Sequence, residues 1–266
     1  MNTRRIRRIL LMTVLATSIC GIQALRLDSS ARGNQSQHRE SDLSDANSLR
    51  LLKQSPNIGF GNIVSNYGFL RFLQYFGDDE VREVTGYELS PLFFEAILRH
   101  DPNYRDYYLF LSGSSTIRAG LPDKTVSLMS ENLEHLSPTT PQDSYYIWRY
   151  KAVDELLFLG EGESARQSFS TAAKWADQSR DLEASQMAKL SKRSADFLTD
   201  NPDSRSAQID AWRSLLSTAL DKDTRIRAIE KIEELGGSIT ITEDGRIKVQ
   251  YEKTDNAAQL SGNSGT

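Results

Sequence analysis

The chain has 266 residues, of which 38% are hydrophobic and 26% charged, an ordinary balance for a globular chain of one or two domains. Setting aside the six arginines and one aspartate before Asn34 turns a formal charge of −4 into 26 basic against 35 acidic residues, a body at −9, which argues against a nucleic-acid partner. The one cysteine, Cys20, precedes that body, so internal disulfides, thiol catalysis, cysteine-held zinc and redox relays are excluded from it.

Arg4, Arg5, Arg7 and Arg8 stand before an uncharged apolar run from Ile9 to Leu25. A helix over that run reaches roughly 25 Å at ~1.5 Å per residue, just short of a bilayer's hydrocarbon thickness. Residues 1–27 are therefore expected to be a signal peptide or signal anchor, with the arginines cytoplasmic and the body outside the cytoplasm. Ile22, Gln23 and Ala24 make a poor cleavage site, which favours the anchor. Ile19 does not suit a lipid-acceptor Cys20, and Arg7 does not suit a twin-arginine signal. Residues 28–56, polar and poor in apolar side chains, read as a flexible tether, and residues 255–266 read as a disordered tail.

Residues 57–254 read as the folded body. Ile63, Val64, Tyr67, Leu70, Leu73 and Phe76 recur at helical spacing and predict a buried face, with Gly77 as its stop, and Phe60, Phe69, Phe72 and Tyr75 add aromatics around more of the circumference, so the helix is expected to be buried on more than one side. Ser90 and Pro91 open a helix that Asp101 and Pro102 close. Tyr107, Phe110, Leu111 and Ile117 mark the helix over 104–119, which Gly120 ends, and Pro122 starts its return to Leu136. Trp148, Ala152, Leu156 and Leu159 mark the next helix over 145–159. Gly160 and Gly162 form a turn, and Ala165, Phe169 and Ala172 carry the return. The loops are short, so neighbouring helices are antiparallel. A helix through Leu182 to Phe197, another around Trp212, and a last one capped by Asp223 with the stripe Ile226, Ile229, Ile232 and Leu235 complete the helical part. Ile239 and Ile241, a turn at Glu243, Asp244 and Gly245, then Ile247, Val249 and Tyr251 predict a β-hairpin over about 238–251 that covers the end of the stack.

The spacing of Ala165, Phe169 and Ala172 resembles the second helix of the tetratricopeptide repeat. Val126, Ser130, Leu133 and Pro138 fit that pattern loosely, and Phe94, Ile97 and Pro102 in part; Asp177 departs from it where a closing proline belongs. The run from Gly59 to Pro138 is also similar to membrane-anchored tetratricopeptide-like proteins of cyanobacteria, which implies a body in a periplasm or thylakoid lumen. The expected fold is all-α, an irregular tetratricopeptide-like stack of antiparallel helical hairpins with a small C-terminal β-hairpin. In such stacks the first helix of each pair lines a groove for a protein partner, which the resemblance places at Tyr108, Ser115, Arg118, Tyr150 and Asp154.

Residues suited to chemistry are sparse. His100 and His135 fall in the last turns of helices, where a cation suits the dipole, and no second ligand stands at metal spacing. Gly160 and Gly162 join helices rather than a strand and a helix, unlike a phosphate loop. Glu163 and Ser164 resemble the catalytic glutamate and serine of lytic transglycosylases, but the glycine, leucine, methionine and glutamine stretch of that family is missing. The expected function is a membrane-tethered or exported scaffold for protein–protein interaction, not an enzyme, with no cofactor, metal, nucleic acid or small-molecule substrate. A lytic transglycosylase using Glu163, or a purely structural spacer, are the alternatives.

Overall fold

A computed structural model describes residues 35–56, 59–201, 203–241 and 247–251; the N-terminal segment expected to meet a membrane, the hairpin turn at Glu243 to Gly245 and the C-terminal tail lie outside them. The chain divides into a unit of residues 1–43, whose described part is helical from Gln35, and a unit of residues 44–266. In chain order the helices are α1 (Gln35–Gln54), α2 (Gly61–Phe76), α3 (Asp79–Thr85), α4 (Ser90–His100), α5 (Arg105–Leu111), α6 (Pro122–Leu133), α7 (Tyr145–Asp154), α8 (Gly162–Gln178), α9 (Ala184–Asp200), α10 (Arg205–Thr218) and α11 (Lys222–Glu234). Strands β1 (Ser238–Ile241) and β2 (Ile247–Gln250) pair antiparallel, with Ile239 opposite Val249. The all-α class with a small hairpin is as the sequence predicts.

The segment read as a flexible tether is helical over Gln35–Gln54 instead. From Ser44 onward three apolar side chains share one face, with Ala46 and Leu49 buried and Leu52 packed on the same core, while Leu51 is exposed. Three side chains suffice because Asp45 pairs with Arg71 and Lys53 with Glu95 across the contact.

Helix α2 turns the opposite face to the core from the one its spacing predicts. Gly61, Ser65, Gly68, Phe72 and Tyr75 are buried, whereas Phe60, Ile63, Tyr67 and Leu70 are 53–62% exposed. Small residues win because α2 approaches α4 closely, and a Cβ on Gly68 would lie 3.0 Å from Ile97 Cγ1 and 3.4 Å from Leu52 Cδ2. Below that contact Phe72 meets Phe69, Phe76, Phe93 and Phe94 with ring centroids 4.7–5.9 Å apart. Such clusters contribute beyond area alone.

Two of the predicted helices change their winding midway. α5 continues as a π-helix over Ser112–Arg118, and α7 as a π-helix over Glu155–Leu159. A π-turn takes about one residue more than an α-turn, which rotates every later side chain away from the α-period. Ile117, predicted to be core, is thereby exposed, while Ser114, Ser115 and Thr116 are buried in its place. Gly160 ends the second π-segment at φ +73°, a left-handed conformation that glycine adopts without strain.

The helical hairpin α8–α9 closes on alanines: Ala165, Phe169, Ala172 and Ala176 of α8 are buried, as are Ala188, Ala195 and Leu198 of α9. Leu182, assigned by periodicity to α9, is fully exposed in the turn before it. Helix α10 then packs on α11 and on the π-segments around Trp212, which meets Phe158 edge-on at 5.4 Å. The cap of α11 is Asp221 rather than Asp223, its Oδ1 accepting the Thr224 N–H at 2.8 Å. Ile239, Val249 and Tyr251 cover this cluster from the hairpin side, as the sequence predicts.

Gly68→Leu is expected to destabilise the fold by about 1–3 kcal/mol through overpacking against Ile97 and Leu52, seen as a lower urea midpoint at unchanged helical circular dichroism. A midpoint equal to that of the wild type would mean that α2 and α4 do not approach as closely as described.

Candidate functional site

The five residues assigned to a groove do not line one. Tyr108, Ser115 and Asp154 are each at most 1% exposed. Tyr108 donates its hydroxyl to the Pro102 carbonyl at 2.8 Å, and burial holds its proton on well above the usual phenol range. Tyr150 is half-buried against the main core, stacked on Tyr146. Arg118 donates to the Thr218 carbonyl at 3.1 Å, and so serves as a tie between the first π-segment and the end of α10. The physical reason is occupancy: α10 lies on the π-segments that continue the first helices of the two hairpins, with α11 packed on α10, where a partner's segment was expected. Arg227 donates to the Ala119 carbonyl and pairs with Glu88 at 3.0 Å, Ser204 donates to the Leu156 carbonyl at 3.3 Å, and the Gln208 amide fills the space beside Gly160. A charge reversal at Asp154 would consequently disturb the fold and not a partner alone.

What the π-segments do bring together is a buried polar seam. Ser112 Oγ donates to Asp154 Oδ1 at 3.0 Å, while Asp154 Oδ2 finds no hydrogen-bond partner among the described residues. Beside it Glu155 pairs with Lys151 and accepts from Ser168 Oγ at 2.6 Å. Burial pushes the Asp154 carboxyl up from 3.8 to about 7, with Ser112 and Thr116 opposing and the neighbouring Glu155 charge adding to the rise.

The open concave surface lies elsewhere, between α4, α6 and the end of α1. A groove of about 660 Å³ runs there, with Leu98, Pro102 and Leu128 on its floor. Helical spacing builds the walls: Glu95 and Arg99 on α4, and Lys124, Ser127 and Glu131 on α6, with His135 beyond its end. Lys53 and Glu95 pair at 2.7 Å, and Ser127 donates to Glu131 at 3.1 Å. Arg99 and Lys124 have no acidic partner among the described residues. Sequence reasoning passed over these side chains because each, taken singly, looks like an ordinary solvated helix position; only the contact between α4 and α6 assembles them.

Of the two histidines predicted at helix ends, His100 is buried and shares its Nε2 with Ser55 Oγ at 3.2 Å and the Leu52 carbonyl at 2.9 Å, a role in tying α1 to α4. Glu163 is exposed at the head of α8, held by Arg166 at 2.6 and 2.7 Å and by Gln167 at 2.8 Å. Those bonds keep its carboxyl down near 2. A general acid needs the reverse, a pocket that raises the carboxyl toward neutrality.

Because the folded state holds the Asp154 proton to about 7 and the unfolded chain releases it near 3.8, stability falls as pH rises between those values and levels off above them. Asp154→Asn is expected to remove that slope and to raise stability above neutral pH by on the order of 2–4 kcal/mol. Urea midpoints at pH 5 and pH 8 measure this, and a variant that keeps the wild-type slope would refute it.

No protein-family model, curated protein or solved structure matches the chain, so its function is read from its own geometry.

Proposed function

We propose that this chain is a membrane-tethered helical-repeat scaffold that works outside the cytoplasm and receives a segment of a protein partner in the groove between α4 and α6. The observation that carries the reading is the groove itself: an apolar floor of Leu98, Pro102 and Leu128 under a rim of both charges, where Arg99 and Lys124 have no acidic partner among the described residues and stand beside Asp123 and Glu131. An apolar floor supplies affinity, and Arg99 and Lys124, set among those acids, select a partner segment of complementary mixed charge. The volume suits a short peptide stretch with one or two apolar anchors. The tether comes from the basic and apolar order of residues 4–25. Among the described residues no helix is long and apolar enough to cross a membrane.

The test places a photo-crosslinking residue at Ser127 of the full-length protein in its native membranes. A discrete adduct is expected, and it should fall at least ~10-fold in the double variant Arg99→Glu, Lys124→Glu, whose exposed positions leave stability within about 0.5 kcal/mol. An adduct of unchanged yield would exclude the groove as the docking site. The absence of any adduct in the unsubstituted rim would favour a structural spacer.

A further inference from the structure

The feature that neither the groove nor the buried seam uses is the outer face of α2. A helix that is apolar nearly all round belongs between partners on both sides, and among the described residues the partners of α2 leave one side of it open. Its inner face packs on α4, while its outer face leaves Phe60 59%, Ile63 60%, Tyr67 53%, Leu70 62% and Leu73 38% exposed. Phe110, 37% exposed, extends the patch, with its ring 5.1 Å from that of Phe69. The spacing of three, four and three from Phe60 to Leu70 makes this one stripe along the helix. Exposed apolar patches of this extent mark interaction surfaces.

Charge says what kind. From Asn57 to Gly77 the chain holds no acidic residue and one base, Arg71, within a body at −9. Arg71 is balanced by Asp45 and lies within 3.5 Å of the Tyr67 hydroxyl. The stripe's own helix thus carries no acidic side chain to repel anionic lipid headgroups, and the acid that meets it from α1, Asp45, is neutralised by Arg71. Tyrosine and arginine, each with an apolar body and a polar tip, suit the level of the headgroups. A second copy fits less well: the six exposed side chains offer roughly 600 Å² by ordinary side-chain areas, short of the ~800 Å² per partner of a stable interface. The apolar run Ile9 to Leu25 precedes the stripe by fewer than forty residues.

We infer that the outer face of α2 lies on the surface of a lipid bilayer and sets how the body is held against it. This rests on the reading that the chain is tethered to a membrane, and it adds a second, monotopic contact that fixes orientation where a tether alone would not.

Full-length protein in vesicles of phosphatidylcholine and phosphatidylglycerol with brominated acyl chains tests it. An environment-sensitive fluorophore is placed at Leu70→Cys or Lys124→Cys in a Cys20→Ser background, and at Cys20 of the unsubstituted chain. Since the apolar face of a surface helix sinks ~5–10 Å, the label at position 70 is expected to lose about half its emission and the label at 124 almost none. An unquenched label at 70 overturns the proposal. If Cys20 is quenched at the same time, the tether stands and the bilayer contact alone fails; if Cys20 is unquenched as well, the membrane reading fails with it. A label at 70 that shifts to the blue without quenching, and reverts on dilution, would assign the stripe to a second copy and likewise overturn the proposal.

Discussion

The arrangement depends on α10, with α11 packed on it, lying on the two π-segments. Three left-handed glycines make the approach close enough. A Cβ at Gly86 would fall 2.8 Å from Asp221, one at Gly120 3.3 Å from Arg227 and 3.4 Å from Trp212, and one at Gly160 2.7 Å from Gln208. Each serves as both a turn and a contact, so the chain's last helices are seated on the backbone of earlier loops. Trp212 fills the centre of that seat and is 1% exposed. A surface that an open repeat would offer to a partner is consequently part of the core, and a groove that stays open lies between α4 and α6.

Local signals were legible in the sequence and distant ones were not. Pro91, Pro122, Gly77 and the pair Asp101 and Pro102 marked the helix limits to within a residue or two, because a proline or a glycine acts on its own backbone. Ala165, Phe169 and Ala172 are buried as their spacing suggests. On the inward face of α2, Phe72 and Tyr75 are buried as expected, but Gly61, Ser65 and Gly68 were missed because bulky apolar side chains outvote small ones in any periodicity, while the close approach to α4 at Gly68 admits only a small residue. The burial of Ser115 was missed because a π-turn leaves no mark in composition, and that of Asp154 because its partner Ser112 lies on another helix, 42 residues away.

The candidate site was the less legible part for the same reason. Groove residues such as Arg99 and Lys124 lie 25 positions apart and acquire meaning only when α4 meets α6. The residues carried over from the tetratricopeptide resemblance were placed on first helices, where this chain packs its own C-terminal helices. The all-α class with its small β-hairpin was therefore legible, while the position of an open groove was not.

The buried Asp154 gives the fold an unusual relation to its surroundings. Near neutrality the native chain holds a proton that the unfolded chain has released, so hydrogen ion acts as a ligand of the folded state, and mass action ties the native population to its concentration. A compartment that acidifies would tighten the centre of this molecule, where the two π-segments and the C-terminal helices meet, without any partner being present. Its rigidity would then report on the chemistry of the space it occupies.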